Sequence, residues 1–408
     1  MKLHIMAWRN IQRNTRRTAL SVSAIAVAAM AIVLLFSLLA GLSNELKSNL
    51  QTFYFGELRI RHAQYEKHAN LNPLHLSVES ASRLIAELES SPALEQASAR
   101  IQFPAAVYEE GNNIGVSAMG LDFSKDLMEP GTYLIEGRLP RPGEQEVLLG
   151  SSAAGSLNKG VGDSFTALST TLRRASNAMT FEVVGVASFP LADVNSRIYL
   201  PVDTVQRFLK TGDRAVDVVM EAAGEYSLED ARTAAAAILE SYPQKEDLLL
   251  ETWNRIPSSY IFIRMAQMVY YIAGAVFYVL ASTVIINTIM MIIFERTREI
   301  GTLASMGMSG KDIVRMFFLE SFFISTIGSV AGAAVGAGFT LILENTGIDL
   351  TSAMEGVDFE ISGVVYPHLT AVNILIAVVT GIIVASGISL IPSRRASGIK
   401  PVEAMKSI

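Results

Sequence analysis

The chain has 408 residues, with 33 Lys and Arg against 39 Asp and Glu, a net charge of −6, and 18% charged residues, where soluble chains carry about 25%. Its 50% hydrophobic content excludes a disordered chain, and the acid excess excludes nucleic-acid binding by overall charge. The absence of cysteine excludes disulfides, zinc-thiolate and Fe–S sites, and cysteine nucleophiles.

The leader 1–17 carries Lys2, Arg9, Arg13, Arg16 and Arg17 and no acid. Leu3, Met6, Ala7, Ile11 and, further round, Trp8 share one helical face, the pattern of a basic amphipathic helix at an anionic membrane surface. A first charge-free stretch follows over 18–44, too long for a signal-peptide core and therefore an uncleaved anchor. Three more such stretches lie at 265–294, 321–343 and 369–393. Each meets the roughly 20 apolar residues that a spanning helix needs.

Between the first two spans, residues 43–264 hold 20 Lys and Arg against 29 Asp and Glu and read as a folded domain outside the membrane. Strands are expected near 57–61, 99–107, 114–121, 181–186, 198–200 and 216–220, with a hairpin at 109–113. Ser77 and Asp203 are placed to cap helices, and Ser227 with Asp230 approximates a capping box. The alternation implies an α+β or split βαβ arrangement. Gly150 and Gly155 have phosphate-loop spacing, but Ser156 and Leu157 stand where Lys and Ser or Thr are required. His4, His62, His68, His75 and His368 form no metal spacing, and there is no Gly-x-Ser-x-Gly elbow, so no metal or catalytic residue is assigned.

After the second span, 295–313 leaves the membrane and returns. Glu295, Arg298 and Glu299 stand at helical spacings, Ile300, Leu303 and Met306 form an apolar stripe, Gly307 suits a C′ position, and Ser309 with Asp312 starts a new helix. A short helix with such a stripe should dock on a partner. The third span, 316–343 with its approach, carries Gly328, Gly332 and Gly336 at every fourth position, a spacing that permits close helix packing within the chain or across a dimer. The 344–368 loop is acidic and has no Lys or Arg, whereas Arg394, Arg395, Lys400 and Lys406 follow the fourth span. By the positive-inside rule both termini and the 295–315 turn are cytoplasmic, and 45–264 and 344–368 face outward. The fold expected is an α-helical membrane protein with four transmembrane helices and a large mixed α+β extracytoplasmic domain.

Four stretches in this order resemble the MacB/FtsX/LolC–LolE permeases of ABC systems: 7–18, 137–150 with Gly160–Asp163, 295–307, and 392–406. The resemblance covers nearly the whole chain. It implies a mechanotransmission subunit in a bacterial inner membrane, working with a second permease chain, a paralogue or itself, and two copies of an ABC ATPase. ATP and magnesium would bind that ATPase, because no phosphate-binding loop is present here and no cofactor is expected in this chain. It makes Glu295, Arg298, Glu299, Ile300, Leu303, Met306 and Gly307 the ATPase-coupling helix. An FtsX-like reading is disfavoured by the size of 43–264. Lipoprotein release to a periplasmic carrier is favoured over MacB-like export with an adaptor and an outer-membrane duct, on the stretch 167–179, where LolC-like chains carry a protruding carrier-binding hook. Leu168, Leu172, Arg173 and Arg174 would form it, although this stretch lacks the proline of such hooks. A release function further implies a cavity for the cargo's lipid anchor, assigned to Val33, Phe36, Leu39, Ala40 and Ser43 on the first span and Ile261, Ile263, Met265, Met268 and Tyr271 on the second of a neighbouring chain.

Overall fold

A computed structural model describes residues 3–13, 15–109, 112–295, 302–303, 305–349 and 364–397. These fall into two compact units, one of membrane helices and one formed by Leu46–Arg264.

In the helical unit, a leader helix Leu3–Arg13 precedes four long helices: Thr15–Asn49, Pro257–Glu295, Gly310–Thr346 and Ala371–Ser397. Each contains a stretch long and apolar enough to cross a membrane. The helices outrun the charge-free stretches because hydrogen bonding continues past the hydrocarbon. At 1.5 Å per residue the first reaches about 50 Å, against a core of about 30 Å. The third therefore takes in Lys311, Asp312, Arg315 and Glu320, and starts at a Ser309 cap that accepts the Asp312 amide at 3.2 Å.

The glycine stripe decides how these helices meet. A Cβ built on Gly328 would lie 3.0 Å from Ile25 Cβ, and one on Gly336 would lie 3.0 Å from Val33 Cβ. On Gly332 it would overlap the Ala26 carbonyl oxygen and lie 2.6 Å from Ala26 Cα. The stripe is thus filled by the first span of the same chain. On the fourth span, a Cβ at Gly381 would overlap Ser329 Oγ of the third. The leader helix buries Ala7 and Ile11. Trp8 stands edge-on to Phe323 at 5.5 Å, and Asn10 donates to Glu320 at 3.0 Å. One face of the leader thus docks on the third span, and Met6 of the expected apolar face is exposed.

The outer domain contains twelve strands among its described residues: β1 (Leu58–His62), β2 (Val78–Glu79), β3 (Leu94–Glu109), β4 (Asn112–Leu121), β5 (Leu134–Gly137), β6 (Glu146–Gly150), β7 (Ser164–Thr170), β8 (Ser176–Ala187), β9 (Arg197–Pro201), β10 (Arg214–Ala215), β11 (Asp217–Ala222) and β12 (Leu248–Thr252). The main sheet runs β12-β1-β11-β3-β4-β9-β6-β8-β5, with β7 joining β3 to β8. Its first four strands are antiparallel and carry the helices Ala81–Glu89 and Leu228–Glu240. In chain order this lobe is β1-helix-β3 and β11-helix-β12, the split βαβ arrangement, with residues 101–216 inserted between its halves. Leu58, Ile60, Leu84, Leu88, Val218 and Met220 fill its core.

The inserted lobe is organised by the second half of β3. Asp217 pairs with Arg100, and one residue on Ile101 pairs with Gly120 of β4, so a single 16-residue strand serves both lobes. One core holds Phe103, Phe165, Phe181 and Phe208, and the other holds Phe53, Leu148, Phe189 and Tyr199.

Local capping differs from expectation at two places. Ser77 donates to the Leu74 carbonyl, Val78 enters a two-stranded ladder with Ala215, and the helix begins after Ser80. Asp203 sits inside the first turn of Val202–Leu209, which follows Pro201 without a side-chain cap. At Ser77 the two-residue ladder of Val78 and Glu79 takes the place of the expected helix start. At Ser227 the full capping box with Asp230 is present.

Candidate functional site

The turn between the second and third spans ends in a Schellman motif. Gly307 takes φ +89°, and the Met308 amide donates to the Leu303 carbonyl at 3.2 Å, spanning the left-handed residue. That fold-back carries Leu303 inward, where it packs with Met308 on a cluster of Ile11, Ile25, Ile285, Ile313, Met316 and Phe317. Met306 goes the other way and is 80% exposed. The expected stripe is therefore split at the helix end: Met306 is presented, and Leu303 packs on the chain's own core. Glu295 ends the second span's helix, and its side chain lies outside the described residues, as do Arg298, Glu299 and Ile300 altogether.

The residues expected to hold a lipid anchor divide among several surfaces. Val33 is buried against the third span at Gly336. Phe36 and Leu39 press on Gly274 of the second span, 3.5 and 3.3 Å from the position of a Cβ there. Ala40 and Ser43 are half-buried, as is Ile263, and the Ile261 side chain lies outside the described residues. Met265, Met268 and Tyr271 are 65, 64 and 74% exposed. At 3.6 residues per turn, Met268 lies about 120° and Met265 about 180° round the helix from Gly274, so they cannot share a cavity with Phe36 in one chain. Between the first and second spans lies an open cavity of about 610 Å³. Ile32, Leu35, Phe36, Phe277, Tyr278, Ala281 and Val284 line it, with Leu343 and Pro367. Its wall contains no charged residue. The sequence reading missed this lower half of the site. Its only signal was the small-residue face Gly274, Ala281 on the second span.

Residues 366–368 close onto the first and third spans. A Cβ at Gly41 would overlap the Tyr366 carbonyl oxygen, the His368 amide donates to the Ser37 carbonyl at 2.9 Å, and His368 Nδ1 lies 2.9 Å from Glu344 Oε1.

The stretch 167–179 is a hairpin rather than a protruding hook. The strands pair from Ser164–Glu182 through Thr170–Ser176, and Leu168 also faces Ala106 of β3. Arg174 takes φ +60° in the turn. The tip is tied down: the Leu172 amide donates to the Leu209 carbonyl at 2.9 Å, Asn177 donates to the Phe208 carbonyl at 2.8 Å, and Leu172 packs on the core. Of the four residues assigned to carrier binding, only Arg173 and Arg174 are exposed.

The 137–150 signature has a structural role. Gly137 takes φ +77°, and a Cβ there would overlap the Val184 carbonyl. Arg138 grips Glu146 with both guanidinium arms, at 2.7 and 2.5 Å, and the Arg141 amide donates to the same carboxylate at 2.9 Å. The bond from Arg138 holds the Glu146 carboxyl below its usual range, against a smaller opposing effect of burial. Gly150 opens the helix Ser151–Leu157 because a Cβ would overlap the Asn195 carbonyl, so this phosphate-loop-like spacing serves packing.

Comparison with known proteins matches two family models. The MacB-like periplasmic core domain matches residues 18–238, and the FtsX-like permease C-terminal region matches residues 271–401. The chain is 24% identical over 235 residues to the macrolide export ATP-binding/permease protein MacB of Campylobacter jejuni (strain 81-176), covering 56% of this chain and 34% of that protein. It is 22% identical over 410 residues to the lipoprotein-releasing system transmembrane protein LolC of Neisseria meningitidis serogroup B, covering 95% of this chain and 94% of that one. The periplasmic region of MacB from Actinobacillus actinomycetemcomitans superposes with a TM-score of 0.38 at 16% identity, covering 52% of this chain and 92% of that one. The chain thus spans about a third of the length of the first MacB relatives and nearly all of LolC.

Proposed function

The chain belongs to the ABC-transporter permeases that join a MacB-like periplasmic core domain to an FtsX-like C-terminal region, and on that premise we propose that it is the non-catalytic membrane subunit of a machine that extracts lipoproteins from the inner membrane and delivers them to a periplasmic carrier. The observation that carries this reading is the uncharged cavity between the first two spans. A lipid anchor leaving the bilayer needs an apolar seat, at about 0.8 kcal/mol per CH₂ transferred, and this cavity supplies one. The end-to-end similarity to a lipoprotein-releasing transmembrane protein supports the same reading. The distribution of Lys and Arg supports a cytosolic position for both termini and the 295–315 turn. ATP and magnesium belong to a pair of ATPase subunits seated at that turn, and a second permease chain completes the assembly. Arg173 and Arg174 are the hairpin residues offered to the carrier. Export with an adaptor and an outer-membrane duct is the competing reading, supported by the MacB similarity over half the chain.

Photo-crosslinkers at Phe36 and Phe277 in the cavity, with Val330, exposed on the third span, as a reference, separate the two. Release predicts adducts to a triacylated lipoprotein at the first two positions, depleted by ATP in the presence of the ATPase. Equal labelling of an unacylated cargo, or adducts to phospholipid alone, sinks it.

Docking at the turn has its own readout. Met306→Asp should weaken association with the ATPase at least tenfold and leave the permease's thermal midpoint unchanged, since burying such a side chain is worth about 1.5–3 kcal/mol. Leu303→Asp should instead lower that midpoint. An ATPase complex indifferent to Met306→Asp removes this residue from the interface.

A further inference from the structure

We propose that the leader helix Leu3–Arg13 binds anionic phospholipid of the leaflet in which it lies, through Arg9 and Arg13. Contacts with two spans fix its depth. Thr18, the first residue of the charge-free stretch 18–44, donates its hydroxyl to the Ile11 carbonyl at 3.0 Å. Asn10 donates to Glu320, and Trp8 meets Phe323. These two partners straddle the boundary at which the approach of the third span, with Lys311, Asp312, Arg315 and Glu320, gives way to its charge-free stretch 321–343. Both spans therefore cross into the hydrocarbon at the level of the leader, which is the depth of lipid headgroups.

The helix presents three faces at that depth. Ala7 and Ile11 lie about 40° apart at 3.6 residues per turn, and both are buried on the chain. Trp8 lies about 60–100° round from them. It is 42% exposed although its ring meets Phe323 edge-on. Phe323 is further into the charge-free stretch than Glu320, so this face turns toward the hydrocarbon. Arg9 and Arg13 lie about 120–160° from the docked pair, four residues apart on one face and both exposed. Ile5, between Trp8 and Arg9 on the helix circumference, is exposed as well. Arg16 adds an exposed cation in the first turn of Thr15–Asn49. None of these three arginines makes an ion pair or a side-chain hydrogen bond with a described residue, and no Asp or Glu precedes Glu45 in the chain.

Exposed Trp and Ile side chains beside free guanidinium groups are out of place in water and suited to a bilayer interface, where the rings sit at headgroup level and the cations reach phosphates. Charge selects the lipid. A zwitterionic surface offers the apolar seat without net attraction, whereas an anionic leaflet strengthens binding about fivefold for each basic residue at its surface. An acidic protein surface would match the arginines but not the turn of Trp8 toward the hydrocarbon. The contact has a consequence inside the chain. Ile11 packs in the same cluster as Leu303, Met308 and Ile313, so lipid that seats the leader also supports the packing beneath the Leu303–Met308 fold-back. The inference does not depend on the cargo.

The test uses the full-length chain with Trp253→Phe, which leaves Trp8 as its one tryptophan. It is placed in phosphatidylcholine nanodiscs that contain an equal minor fraction of either brominated phosphatidylglycerol or brominated phosphatidylcholine. Bromine quenches a neighbouring indole. Quenching of Trp8 is expected to be about twofold stronger with the anionic lipid, and the preference should decline as salt rises. Arg9→Gln with Arg13→Gln should bring the two lipids to parity. Arg9→Lys with Arg13→Lys should keep the preference, because the attraction is one of charge. An unchanged thermal midpoint in uncharged detergent establishes that each variant is folded, and the single Gln variants, each expected to lose part of the preference, serve if the double one is not. Equal quenching by the two lipids in the parent chain, or a preference that survives in the folded Gln variants, overturns the proposal. The second result, joined to lost association with the ATPase, would assign the arginines to a protein interface instead.

Discussion

Replacing Arg100 with methionine is expected to lower the stability of the outer domain by about 3–5 kcal/mol, seen as a fall of about 6–20 °C in its thermal midpoint. Arg100 and Asp126 are 2 and 0% exposed at their side chains, and the arginine also donates to the Thr52 carbonyl at 2.8 Å. Without it, Asp126 keeps only the Ser98 hydroxyl and the Met128 amide, both at 2.9 Å. A buried carboxylate stripped of its cation costs far more than the pair itself contributes. Adding Asp126→Leu should therefore recover most of the loss. A single variant within 1 kcal/mol of wild type would show that water reaches Asp126 and that the pair is not isolated. The neighbouring row gives a pH signature. Burial pushes Asp217 up, but Arg61 above all, with Arg59 and Arg100, pulls harder, so its folded pKa lies below the usual carboxylate value. Its contribution is complete above the unfolded pKa of about 3.9 and is lost as pH falls through the lower folded value. Asp217→Asn should flatten that acid limb of the stability curve and leave its slope near neutrality unchanged.

Gly332→Ala is expected to disrupt the helical unit, although it adds a single methyl group. That methyl would overlap the Ala26 carbonyl and sit 2.6 Å from Ala26 Cα, and backbone has no rotamer by which to yield. Overpacking of this kind costs about 1–3 kcal/mol where side chains can adjust, and more is expected here. Gly338 lies six residues on in the same helix, and a Cβ there would meet nothing within 4 Å. Gly338→Ala should be neutral or stabilising by up to about 1 kcal/mol from helix propensity. Protease resistance and recovery of folded protein from detergent would compare the two. Equal behaviour would mean that the first and third spans are further apart than the structure places them.

What the amino-acid sequence by itself determined are properties that are local and cumulative. A run of 20 uncharged residues marks a membrane helix whatever it packs against, which is why all four spans were legible. Alternation and turn chemistry revealed β3 and β4, and Ser227 with Asp230 marked the start of a helix, because each signal lies within a few residues of its effect. The family motifs were visible for the same reason: Arg138 and Glu146 are close in sequence as well as in space. The tertiary structure alone decided which faces meet. Gly328, Gly332 and Gly336 allow close approach to any helix, and only the long-range fold supplies Ile25, Ala26 and Val33 of the same chain. Leu303 and Met306 look alike in an apolar stripe, and a left-handed Gly307 sends one inward and the other out. The buried ion pairs were invisible, since Arg59 meets Glu251, Arg61 meets Asp217 and Arg100 meets Asp126 only across elements far apart in the sequence. Spacing along a chain encodes the face of one element, but a site is made by two backbones meeting, and that contact has no period in the sequence.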